Sequence, residues 1–110
     1  MVVRDKCRRL LSASVIEVLM IYLFIRLCAT DYARWKEVFD THLAARQAGG
    51  ATNEIHVMRN VDDLNEITIL LGWTSMKTAR LFAQSVSLNE AMRQAGVIGV
   101  SEVRFLEVIS

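Results

Sequence analysis

Apolar residues crowd most densely into residues 15–28, VIEVLMIYLFIRLC, directly after a basic opening, RDKCRRLL. Within this run MIYLFIRL reads as an extended strand. Ile21, Leu23, Ile25 and Leu27 fall on one face, and Tyr22, Phe24 and Arg26 on the other. Large groups on both faces require that both be covered. As a membrane span the run is too short, because a helix crossing hydrocarbon needs about 20 apolar residues, and Glu17 and Arg26 interrupt this one. As an export signal it lacks a small-residue cleavage pattern, and Arg26 stands where small residues belong. The same arginine argues against lipid attachment at Cys28. Residues 1–19 carry a weak helical pattern with a basic face (Arg4, Lys6, Arg8, Arg9). They are expected to be an appendage, either a short helix or a non-native extension, ahead of one domain spanning 20–110. Membrane-surface attachment through this segment is a minor alternative.

The rest of the chain alternates between the two periods. TDYARWKEVFDTHLAARQAGG predicts one helix, capped by Thr30 or Asp31 and stopped by Gly49-Gly50. Its apolar stripe runs through Trp35, Val38, Phe39 and His42/Leu43. NEIHVMRNVDDLNEITILLGW predicts a hairpin, with strands over 54–59 and 66–73 flanking the turn-forming NVDDLN. A second helical region follows, opened by Thr74 or Ser75 and broken near 85–87, where Ser87 and Glu90 fit a capping box and Gly96 ends the helix. SEVRFLEVI closes the chain as a strand. The order βαββαβ predicts an α+β, ferredoxin-like fold: a four-stranded antiparallel sheet with helices on one face. The opposite face presents residues such as Tyr22, Phe24, Met58 and Leu70 in any register, so a second copy of the chain is expected to cover it.

Composition narrows the function classes. The chain has 110 residues, 53% of them apolar and 23% charged, with a net charge of +1. That is one small folding unit with apolar surface to spare, and nothing in the charge calls for a nucleic acid. The two cysteines, Cys7 and Cys28, have no CxxC partner, and His42 and His56 are the only histidines. A structural metal is not expected, and reduced thiols fit a cytoplasmic protein.

The segments DYARWKEVFDTH, DDLNEITILLGW, SMKTARLFAQS and EVRFLEV together resemble the antibiotic-biosynthesis-monooxygenase-like (ABM-like) proteins of the dimeric α/β-barrel superfamily, over residues 20–110. The resemblance implies two sheets closing into a barrel-like homodimer, with a cavity between each sheet and its own helices. It also implies a range of activities: cofactor-free oxygenases of aromatic polyketides, haem-degrading enzymes, and muconolactone-isomerase-like and chlorite-dismutase-like proteins. The haem-degrading branch carries an Asn on the first strand, a Trp in the second helix and a His ten residues further on. Here those helix positions fall on Phe82 and Met92, and the first strand has no Asn. Haem degradation is therefore disfavoured, and no cofactor is implied.

The catalytic candidates are His42, His56 and Arg26. An imidazole titrating near neutral pH can serve as a general base at a cavity. Arg26, like Arg104, is expected to form an ion pair between subunits, with Glu102 or Glu107 as partner, or else to hold an anionic phenolate or carboxylate. Tyr22, Phe24, Trp35 and Trp73 are the candidates for contact with a small aromatic ligand, each against an ordinary packing role. Two function classes remain: a cofactor-free monooxygenase or isomerase acting on a small apolar or aromatic molecule, and a non-enzymatic binding or regulatory dimer.

Overall fold

The structure, a computed structural model, describes residues 20–109; the expectation of an appendage over residues 1–19 lies outside them. Strand β1 (Ile21–Ala29) leads to helices α1 (Tyr32–Thr41) and α2 (Leu43–Ala48). A hairpin of β2 (Ala51–Asn60) and β3 (Asp63–Trp73) follows, then α3 (Met76–Ala83), α4 (Val86–Gln94) and β4 (Val97–Glu107). The strands pair antiparallel in the order β2-β3-β1-β4. This is the expected α+β ferredoxin-like arrangement, with each helical segment divided in two.

The alternation in β1 sets the sheet's two faces. Ile21, Leu23, Ile25 and Leu27 are buried toward the helices, opposite Trp73, Leu71, Ile69 and Ile67 of β3. With Trp35 from α1, Ala79 and Phe82 from α3, and Leu88 from α4 they form the core. Tyr22, Phe24, Leu70 and Met58 point to the other face, which no element among the described residues covers. Met58, Leu106 and Ile98 are exposed there or at its margin, among Arg26, His56 and Arg104.

Side-chain caps fix three of the helix starts among the described residues. Asp31 accepts from Ala33 N and starts α1, and Ser75 accepts from Thr78 N to start α3. The hairpin turns through Val61-Asp62, where Asn60 Oδ1 accepts from Asp62 N at 2.8 Å. Gly50, at φ +114°, lets the chain leave α2 so tightly that a Cβ there would stand 2.9 Å from the Trp73 indole nitrogen. Gly99, at φ +70°, lies in the stretch of β4 where its register against β1 shifts.

Two expectations are corrected. The helix predicted from Thr30 or Asp31 to the glycine pair is broken at His42 (φ −88°, ψ 5°). Thr41 Oγ1 donates to Val38 O at 2.9 Å, and Arg46 Nη1 donates to Phe39 O at 2.6 Å. His42 N is left to share those same two carbonyls, and competition of this kind bends helices. The other correction concerns α4, whose cap is Ser85, accepting from Leu88 N at 3.1 Å. Ser87 lies inside the helix, so the Ser87–Glu90 capping box does not form.

Candidate functional site

Between the sheet and the helices lies a cavity of about 40 Å³. Ile25 and Leu27 of β1 and Ile69 and Leu71 of β3 make its floor. Trp35 and Phe39 of α1 wall one side, their rings stacked at 4.9 Å, and Phe82 of α3 and Met92 of α4 stand on the other. Phe82 and Met92 are the two positions matched above to the catalytic Trp and His of haem-degrading enzymes, so both do face the cavity, as apolar groups. Half-buried Val38, His42, Ala91 and Met92 edge the space where α1 approaches α4.

His42, at the break between α1 and α2, is the one sequence-predicted catalytic candidate on this cavity. Its ring lies 6.0 Å from the Phe82 ring, and Nε2 is 2.9 Å from Ser87 Oγ, an interaction in which either group can donate. Burial pushes its pKa below the usual 6.5, and the Arg46 guanidinium adds to the shift. The imidazole is therefore neutral at pH 7 and available as a proton acceptor.

Arg46 was not among the sequence candidates. It is 3% exposed and the only buried charged residue among those described. Its guanidinium lies 3.8 Å from the Phe39 ring centroid and donates to Phe39 O through Nη1, while Nε is buried with no hydrogen-bond partner. Burial lowers its pKa from the usual arginine range, and the more distant Asp40 opposes the shift. A signal was present in the sequence. Residue 46 continues the apolar stripe of 35, 38, 39 and 42 by one more turn, so it is a charge on the face that meets the sheet.

The other candidates divide between core and far face. Trp35 lines the cavity. Trp73 is buried beside it, donating through Nε1 to Gly49 O at 3.1 Å and packing on Phe82 at 4.8 Å. Tyr22, Phe24, Arg26 and His56 all lie on the sheet face turned away from the helices, so the sheet separates them from His42. There Tyr22 donates to Glu54 at 3.2 Å, and the His56 ring lies 6.2 Å from that of Tyr22. Arg26 pairs with Glu102 at 2.8 Å, and Arg104 binds the same carboxylate at 2.7 Å. Those two arginines hold the Glu102 pKa down, with Arg104 dominant. The expected ion pair of Arg26 was one between subunits; the structure instead pairs it within the chain, through Glu102.

Among the described residues no three His, Cys, Asp or Glu side chains gather closely enough to hold a metal ion, and no helix is long and apolar enough to cross a membrane.

No protein-family model and no curated protein sequence matches the chain. Solved structures do match its fold. A protein from Bordetella bronchiseptica assigned to the antibiotic biosynthesis monooxygenases superposes with a TM-score of 0.70 at 12% identity, over 83% of this chain and 98% of that one. A Caulobacter crescentus protein with the same assignment gives 0.64 at 16% identity, over 83% and 91%. SnoaB, a cofactor-independent oxygenase from Streptomyces nogalater, gives 0.59 at 13% identity, over 84% and 92%. The chain therefore has the ABM-like fold, as its sequence segments implied.

Proposed function

We propose that this protein is a homodimer whose subunits each take a small organic molecule into the cavity between sheet and helices, where His42 removes a proton in a cofactor-free oxygenation or isomerisation. The observation that carries the reading is a half-buried imidazole, its pKa lowered by burial, on the wall of a cavity that is apolar apart from His42 and Arg46. A base in that state accepts a proton without first losing one, and the low-polarity surroundings strengthen every electrostatic contact it makes. The proton passes to His42 and the electron pair stays on the substrate carbon. That carbanion either regains a proton elsewhere, which isomerises the molecule, or reacts with dioxygen, placing one oxygen atom in the product and releasing the other as water. Dioxygen is then the oxidant and the substrate supplies the electrons, as befits a fold shared with a cofactor-independent oxygenase. In this reading Tyr22, Phe24, Arg26 and His56 meet the second subunit.

A second reading, a binding or regulatory dimer without chemistry, is favoured by the cavity's size. At about 40 Å³ it holds roughly three water-sized groups, well short of the several hundred Å³ of a typical ligand pocket. Any larger ligand must displace side chains, with Met92 the most pliable of them.

Native mass spectrometry of protein purified from its host, followed by dioxygen-uptake and isomerisation assays with whatever molecule co-purifies, tests both readings. A dimer carrying a small molecule that the parent protein converts and His42→Gln merely binds is the result expected of the enzyme. A dimer that binds its ligand unchanged selects the second reading. A ligand-free monomer overturns both.

A further inference from the structure

The cavity contains a charge without an opposite. Arg46 is 97% buried by exposure (3% exposed), yet no carboxylate among the described residues lies within ion-pair distance of it. The nearest acidic influence, Asp40, is bound to Lys36 at 2.7 Å. What the described residues supply, the Phe39 carbonyl on Nη1 and the Phe39 ring face, leaves Nε without an acceptor and the net charge uncompensated among them. Burying an unpaired guanidinium is among the least favourable placements for any side chain, and such groups are ordinarily matched by a counter-ion. A water molecule can satisfy the Nε donor but cannot neutralise the charge. A neutral side chain of similar length would fill the position at lower free energy if packing were its only role.

We propose that the molecule bound in this cavity is an organic monocarboxylate with a compact apolar body, its carboxylate seated against Arg46 and its body against Trp35 and Met92. The inference deepens the cavity reading above and rests on it. Three features select this chemistry. The space, roughly three water-sized positions, takes the three heavy atoms of a carboxylate head, and the body enters by displacing the pliable Met92. The single cation suits a monoanion, whereas a phosphate dianion would call for further cations or several backbone donors. The remaining walls are hydrocarbon and aromatic, which fits an apolar body and disfavours a wholly hydrated inorganic ion. His42, neutral beside the guanidinium, does not compete for the anion.

Isothermal titration of the full chain with benzoate, phenylacetate and hexanoate, each against its uncharged amide and against inorganic phosphate, tests the proposal. Parent protein should bind at least one acid tenfold or more tighter than its amide, and tighter than phosphate. Arg46→Met should lose that tenfold preference, and Arg46→Lys, which restores the charge without the planar fork, should recover part of it. Ligand-free Arg46→Met should melt no lower than the parent, because an uncompensated charge has been removed; a purely structural arginine would instead leave a less stable protein with no change in acid-over-amide preference. If acid and amide bind parent equally, the cavity reading stands and the anion inference falls. If no acid and no amide binds, the anion inference falls, and the co-purified molecule decides the cavity reading. Should Arg46→Met fail to fold, the acid–amide comparison on the parent and on Arg46→Lys still decides.

Discussion

Trp73 shows how much a single side chain can hold in a small domain. Its indole is 2% exposed, packs on Phe82, and donates to the carbonyl of Gly49 at the end of α2. Trp73→Phe keeps most of the apolar bulk but removes the donor and leaves a void beside the cavity. A loss of about 1–3 kcal/mol is expected, read as a lower urea midpoint at unchanged slope. His42 acts through charge. Its pKa in the folded protein lies below 6.5, so between that lowered value and 6.5 the unfolded chain binds more protons than the folded one. Stability is then fully present above about pH 6.5 and declines as the pH falls toward the folded-state pKa. Melting temperatures from pH 8 to pH 5 should show this decline in the parent and lose that component in His42→Gln; identical profiles would mean that the imidazole is not desolvated. Arg46 shows the limit of reading residues by type. A charge at one stripe position looks like the exposed end of a helix until the break at His42 and the approach of the sheet are known.

At the scale of elements, periodicity carried most of the information and side-chain competition for backbone groups carried the rest. The strands were legible because β1 alternates cleanly and the hairpin is punctuated by NVDDLN. The break at His42 was not, because it depends on Thr41 and Arg46 both reaching carbonyls that an uninterrupted helix would keep. The start of α4 was shifted by two residues for a related reason. Ser85 and Ser87 are equally good caps by type, and the choice follows from where α3 ends and from the bond between Ser87 and His42. Substitution separates the two serines. Ser85→Ala should cost about 1 kcal/mol through loss of the cap, whereas Ser87→Ala, at an exposed position, should change stability by less than about 0.5 kcal/mol. Guanidinium denaturation of both variants checks the order, and a larger effect at Ser87 would contradict the assigned helix start.

At the scale of the whole molecule, the sheet's second face raises the largest remaining physical question. Its centre is a row of His56, Leu70, Phe24 and Arg104 across the four strands, flanked by the row of Tyr22 and Leu106 on one side and the row of Arg26 and Glu102 on the other. Apolar groups in the middle and an arginine–glutamate cluster toward one side match the make-up of subunit interfaces better than that of a solvent-facing sheet. The alternation of β1 made the apolar character of both faces legible. The size of the cavity was not legible, because it depends on how far Phe82 and Met92 reach in from separate helices. If the second face pairs with its twin about a two-fold axis, Phe24 of each copy lies in the same self-complementary patch. Phe24→Asp then buries two carboxylates per dimer for one substitution, a penalty of at least about 3 kcal/mol, or more than a hundredfold in dissociation constant. The cavity lies on the opposite face of the sheet, so each Phe24→Asp chain should keep its fold and its pocket. Sedimentation velocity should therefore find a dimer for the parent and a monomer with an unchanged circular dichroism spectrum for Phe24→Asp. A parent that sediments as a monomer would remove the twin, and with it the interface role of Tyr22, Arg26 and His56, while leaving the reading of His42 and Arg46 to be decided within the single chain.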